Sequence, residues 1–151
     1  MKKSKFKLLL LFIGLVAIAG TTLSSCNDDD DQSQKEQISI TDITTNIPCL
    51  LTSNDTVKII NSNEELQALC SNAPTLDFSN HSLLIVSGGV AGGVANVVGI
   101  LYKMSNNYIL SINVSLNETT INGDVWRKCY LTSEKINSNT IISLQVNSHQ
   151  K

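Results

Sequence analysis

The side chains able to do chemistry are few. The chain of 151 residues carries four cysteines and two histidines: Cys26, Cys49, Cys70 and Cys129, with His81 and His149. A cysteine or serine nucleophile needs a histidine as base and a third group to orient it. His81 falls in a turn and His149 lies beyond the last alternating stretch, so neither completes such a set. Zinc would need closely paired ligands, and Cys49, Cys70, Cys129 and His81 are spread along the chain. The carboxylates are scattered without an acid/base couple. The expectation is a protein that is not an enzyme, with no metal and no cofactor. Two glycine pairs, Gly88-Gly89 and Gly92-Gly93, stand out. They lack the spacing and the Lys-Ser or Lys-Thr of a phosphate loop. They read as a flexible or bulged loop between strands, or as a loop whose bare amides touch a partner chain.

Cys26 has a different context. Lys2, Lys3, Lys5 and Lys7 precede an apolar run, Leu8 to Ala19, of about a dozen residues. That is too short to span a hydrocarbon core of about 30 Å as a helix, and it has the layout of a secretory signal. Leu23-Ser24-Ser25-Cys26 matches the bacterial lipobox, in which the cysteine sulfur becomes a diacylglyceryl thioether. Two or more acyl chains give a stable anchor where one does not. The following Asn27-Asp28-Asp29-Asp30-Asp31 resembles the acidic export signal of Bacteroidetes lipoproteins. That resemblance implies display on the outer face of the outer membrane, with the periplasmic face as the alternative. The aspartates alone make a solvated, self-repelling tether. Asp55-Thr56-Val57 likewise resembles the Bacteroidetes O-glycosylation tripeptide, which makes Thr56 a candidate acceptor.

Composition narrows the partners. The formal charge is −2 and no basic face with interleaved aromatics is evident, which argues against nucleic acid. Aromatics make up 5% of the chain and Trp126 is the single tryptophan. With Cys26 acylated, three cysteines remain, so at most one internal disulfide forms. A Cys49–Cys129 bridge and a disulfide-free domain both stay open.

The elements that position these residues follow from pattern. Residues 1–25 are the signal peptide, 26–45 the lipidated cysteine and acidic tether, and 46–151 one domain. Apolar content already rises around Ile38, Ile40 and Ile43. Thr56–Ile60 reads as a strand. Ser62-Asn63-Glu64-Glu65 is a capping box that opens a helix running to about Ser71, with Leu66, Leu69 and Cys70 on one face and Cys70 a small core hydrophobe. Ser82–Ser87 is a continuous apolar run, the mark of a strand covered on both faces. Residues 96–104 carry Val98, Ile100 and Tyr102 on one face. Residues 108–116 alternate cleanly, Tyr108, Leu110, Ile112, Val114 and Leu116 against Ser111, Asn113 and Ser115. Together these two predict a hairpin. Further strands are expected at 125–131 and 140–146. The resulting expectation is an α+β fold: an antiparallel sheet of five or six strands, curved toward a partial barrel, with one packed helix.

The strand leading into Asn61-Ser62-Asn63-Glu64-Glu65-Leu66, followed by Asp77-Phe78-Ser79, Ser82-Leu83-Leu84-Ile85-Val86, a glycine-rich turn and a hairpin, resembles the small lipoprotein domain related to the C-terminal part of PrcB. That resemblance implies a non-catalytic protein that binds and stabilises a secreted protease. The glycine pairs are also similar in setting to the substrate-like loop of staphostatin-type inhibitors. The leading expectation is therefore a surface-anchored, protein-binding lipoprotein that binds, stabilises or inhibits an exported protease. The protein would dock on an exposed sheet edge or on the Gly88, Gly89, Gly92, Gly93 loop. The alternatives are an accessory that holds a glycan or small nutrient in a pocket near Trp126 and Tyr130, or a structural envelope lipoprotein.

Overall fold

A computed structural model describes residues 35–49, 56–105, 107–117 and 123–150. The chain divides into residues 1–31 and 32–151, and all described residues belong to the second unit. The signal peptide, Cys26 and Asn27–Asp31 lie outside the described residues.

Among the described residues there are eight strands and one helix, in the order β1 (Glu36–Ile38), β2 (Ile40–Asp42), a 3-10 turn at Thr44–Asn46, β3 (Val57–Ile60), α1 (Asn63–Leu69), β4 (Leu83–Val90), β5 (Gly93–Met104), β6 (Asn107–Asn117), β7 (Asp124–Thr132) and β8 (Ile142–Gln150). The fold is mostly β, in two sheets that do not close on one another, rather than one sheet of five or six strands. The first sheet has the order β1-β5-β6-β8 and the second β2-β7-β4-β3.

Two short strands account for most of the difference in number. β1 pairs with β5 and β2 with β7, so residues read as tether are part of the sheets. Each strand is only three residues long, too short to show an alternating pattern. Between them Ser39 carries the chain from one sheet to the other.

The sheets face each other across the main core. Leu84, Val86, Trp126 and Tyr130 of the second sheet meet Val97, Leu101, Leu110, Ile112 and Val114 of the first. The other face of the second sheet is also covered. There Leu83, Ile85 and Cys129 pack against Leu66 and Cys70 at the helix, together with Ile47, Ile60 and Phe78. This explains the unbroken apolar run of β4, which lies inside its sheet and has cores on both faces.

Helix α1 begins as its sequence demands. The Ser62 hydroxyl accepts from the Glu65 amide at 3.2 Å. The Glu65 carboxylate reaches one residue further back than a capping box requires and accepts from the Asn61 amide at 2.8 Å. The helix stops at Leu69, with Cys70 extended as its C-cap. Leu66 and Cys70 are buried, but Leu69, expected on the same face, is 39% exposed.

The β5–β6 hairpin forms in the predicted region. Its register settles which face of β5 is inside. The apolar stripe of β6 must face the core, so its partners Val97, Gly99 and Leu101 do too. Val98, Ile100 and Tyr102 therefore lie opposite Asn113, Ser111 and Ile109 on the outer face. A register shift between Val94 and Asn96 adjusts the strand near its start.

The sheets are not wholly antiparallel. β8 runs parallel to β6 from Tyr108↔Ile142 to Leu116↔Gln150. The chain leaves β6, passes through β7 in the other sheet and returns, and a crossover of that kind brings a strand back in the same direction.

Candidate functional site

The glycine segment is not an open loop. Gly88 and Gly89 continue β4 and pair with Trp126 and Val125 of β7. Gly93 begins β5, so only Ala91 and Gly92 lie between the strands. Gly92 has a φ of 121°, a conformation that favours glycine. The Val94 amide is bonded to the Asp124 carboxylate at 3.2 Å. A β-carbon on Gly123 would come within 3.1 Å of the Val90 carbonyl. The expected partner-binding loop is thus a tight corner between the sheets, its strand amides used in the ladder.

Gly99 carries a stronger steric demand, which sequence reading passed over. A β-carbon there would lie 2.6 Å from the Tyr130 ring. A glycine inside a strand pattern is the signal that could have marked this close approach. Tyr130 and Trp126 are 3% and 5% exposed and belong to the main core between the sheets. Neither the Tyr130 hydroxyl nor the Trp126 indole nitrogen has a hydrogen-bond partner among the described residues. The Gly99 amide is close enough to favour an ionised phenolate without meeting hydrogen-bond geometry. Burial dominates, and it pushes the phenol well above its usual range.

The cysteines pair otherwise than as Cys49–Cys129. The disulfide joins Cys49 to Cys70, with a Cα–Cα distance of 5.7 Å. Cys129 is a buried free thiol. Sequence spacing could not choose between them. The choice follows from Cys129 lying mid-strand in β7, while Cys70 caps the helix within reach of the segment that carries Cys49. Burial, with the Asp42 charge adding to it and Arg127 opposing, pushes the Cys129 thiol up to about 11. It is therefore protonated and inert at neutral pH.

The histidines are not brought together. His81 Nδ1 donates to the Thr132 carbonyl at 2.7 Å. The neighbouring Ser82 hydroxyl is fully buried. It donates to Asn61 Oδ1 at 2.5 Å and accepts from the Ile136 amide at 2.8 Å. This network pins the β7–β8 connection to the start of β4. His149 Nε2 lies 3.1 Å from the Ser115 hydroxyl, and no carboxylate among the described residues is bonded to the ring to orient it. No group of three or more His, Cys, Asp or Glu among the described residues could hold a metal ion. No helix among them is long and apolar enough to cross a membrane.

The β7–β8 connection is tied down a second time at the rim. Lys103 faces inward, opposite Tyr108, and reaches out to Glu134 at 3.0 and 3.2 Å. Tyr108 donates to the same carboxylate at 2.5 Å. Partial burial works against ionisation of Glu134. The bonds from Tyr108 and Lys103 and the Lys103 charge outweigh it and hold the carboxyl below its ordinary value. Asp42 is lowered in the same way: burial opposes, while Lys128 and Thr44 prevail.

What remains open is the outer side of the first sheet. Side chains there form cross-strand rows set by the register: Asn96–Ser115–His149, Val98–Asn113–Asn147, Ile100–Ser111–Gln145, and Gln37–Tyr102–Ile109–Ser143. None of these residues is Asp, Glu, Lys or Arg. Asn147 donates to Asn113 at 3.4 Å.

Two features border this face. One is the edge of β8, bonded among the described residues to β6 alone. β8 contains no proline and no Asp, Glu, Lys or Arg, the devices by which edge strands are usually protected. Along its inward side Val146 is 45% exposed, although its ladder partner Ile112 is fully buried. The other is a cleft of about 370 Å³ at the β5–β6 turn end, lined by Asn107, Asn137, Asn139, Thr140 and Ile141. Thr56, the candidate acceptor for modification, is exposed just ahead of β3; Asp55 lies outside the described residues.

No family model, curated protein or solved structure matches this chain.

Proposed function

We propose that this chain is a non-enzymatic lipoprotein, anchored through Cys26 and displayed on the outer membrane surface, whose β-domain captures an extended segment of another protein along β8. The observation that carries this reading is the free edge of β8. It is nine residues long, holds no Asp, Glu, Lys or Arg, and among the described residues is paired on one side only. A partner strand gains main-chain hydrogen bonds from such an edge and specificity from alternate side chains. An added strand would bring an apolar side chain alongside Val146, which is 45% exposed. Of the two docking places expected from sequence, an exposed sheet edge and the glycine segment, this reading takes the sheet edge. An exported protease is the partner class that the PrcB-like resemblance implies. An O-glycan on Thr56 would sit ahead of β3.

The test is capture from envelope and secreted fractions on the immobilised full chain, followed by amide exchange on the isolated complex. The expected result is one stoichiometric partner that slows exchange across Ile142–Gln150 and is lost in a Gln145→Lys/Asn147→Lys variant. Protection that falls on another element, or a partner that tolerates both lysines, overturns the reading.

A further inference from the structure

We propose that the cleft at the β5–β6 turn end binds an uncharged oligosaccharide, through the carboxamides of Asn107 and Asn139 and the exposed face of Ile141. This goes beyond capture of a protein segment and does not depend on it. The site is also unrelated to the Trp126 and Tyr130 pocket expected from sequence.

The lining selects the ligand by what it contains. Among the described residues, three carboxamides, one hydroxyl and one isoleucine line the cleft, and none of them titrates. A charged ligand would find no counter-ion among these described residues. A carboxamide both donates and accepts hydrogen bonds, as does each hydroxyl of a sugar. Ile141 is 79% exposed, a large apolar surface beside these amides that suits the C–H face of a pyranose ring.

The amides are available. Asn137 is spent in part on the loop itself, its side-chain oxygen accepting from the Asn139 amide at 2.9 Å and its carbonyl from Thr140 at 2.9 Å. The side chains of Asn107 and Asn139 make no hydrogen bond to described residues. The loop that presents Asn139 is held from behind by Glu134 and by the Ser82 network, so the amides stand on a fixed support rather than a free loop. A volume of about 370 Å³ is at the small end of ligand sites.

A protein hot spot fits the same cleft poorly. Such spots are built on Trp, Tyr and Arg in desolvated pockets, and the lining has none. Asn107 also belongs to the outer-face parity of β6, which makes the cleft continuous with the uncharged rows above it. A longer chain of sugars can extend along Ile109 and Ser143.

The side-chain amide resonances of Asn107 and Asn139 provide a direct readout. The full chain, labelled with ¹⁵N in a sugar-free zwitterionic detergent, is titrated with maltotriose, cellotriose, mannotriose, xylotriose and triacetylchitotriose, and with trigalacturonate as the acidic comparison. The expected result is a saturable shift of both amide pairs with at least one neutral trisaccharide, and an affinity, read on the backbone amides of Thr140 and Ile141, weakened about tenfold or more by Asn107→Ala/Asn139→Ala. The backbone spectrum of the variant verifies its fold, and Ile141→Asp, at an exposed position, supplies a second loss of binding. Absence of a saturable shift with every neutral sugar overturns the proposal. So does binding that survives the double substitution, or binding confined to trigalacturonate. Capture of a protein on β8 is measured separately, so either reading can fail alone.

Discussion

The two sheets use similar strands to opposite ends. The second sheet is covered twice, by the main core on one face and by the helix and its loops on the other. The first sheet shares the main core, but its outer face meets solvent with uncharged polar rows and a scattering of half-exposed apolar side chains. Ile85 and Ile100 make the contrast concrete. Each points away from the main core, yet Ile85 is 1% exposed beneath the helix layer and Ile100 stands on the open face. Cover, not residue type, separates the two sheets.

The largest expected effect tests that contrast directly. Ile85→Ala should cost about 2–5 kcal/mol, as for a fully buried aliphatic side chain, and Ile100→Ala clearly less. Denaturant midpoints on the two variants measure the difference, and equal losses would mean that the outer face is covered after all.

The cover over the second sheet is also covalent. The Cys49–Cys70 bridge has a sequence separation of 21, and opening it by Cys49→Ser should remove about 3 kcal/mol. Cys129→Ser leaves the bridge intact. The midpoint in reductant should therefore fall in the Cys129→Ser variant as far as in the parent chain, and stay unchanged in Cys49→Ser.

Next comes the contact between the sheets. Gly99→Ala drives a methyl group into the buried Tyr130 ring and should cost about 1–3 kcal/mol. Adding Tyr130→Leu should recover part of this loss, because residues in contact couple. Additive losses in a double-mutant cycle would separate the two positions.

A smaller effect concerns acid. The folded-state carboxyl of Glu134 is held below its ordinary value of 4.5. Its contribution is therefore complete above that value and is lost as pH falls through the lowered one, since the unfolded chain binds the proton first. Asp42 has the same sign. Glu134→Gln should lower stability in the neutral region by that contribution and flatten the acid limb, so that the two stability-versus-pH curves converge at low pH. An unaltered acid limb would assign the loss to other carboxylates.

The smallest stability change belongs to the open edge. Gln145→Lys/Asn147→Lys, on exposed positions, should stay within about 0.5 kcal/mol while abolishing partner capture. A large loss of stability would show that the edge supports the fold rather than binding.

Local pattern carried much of this architecture. The cap at Ser62, the doubly covered run of β4, the alternation of β6 and its hairpin with β5 each depend on neighbours within a few residues, and each was readable. β1 and β2 were not, because three residues hold no period and their pairing is decided by strands far along the chain. The inward face of β5 was equally hidden, since both sides of that strand are apolar and only the register with β6 chooses between them. Of the candidate sites, the glycine pairs drew notice as a loop although they are mostly strand. The uncharged β8 edge was visible as sequence, but nothing local marks a strand as an edge.

The sequence by itself therefore determined the elements whose signals are short-range: caps, alternation, turns and the limit of one disulfide. Tertiary structure alone decided that Cys49 meets Cys70, that Gly99 lies under Tyr130, that β8 returns parallel to β6, and that Asn107 shares a cleft with Asn139 and Ile141. Each of these is a meeting of residues distant in the chain. Such meetings are set by how two faces fill one core, which no local pattern encodes.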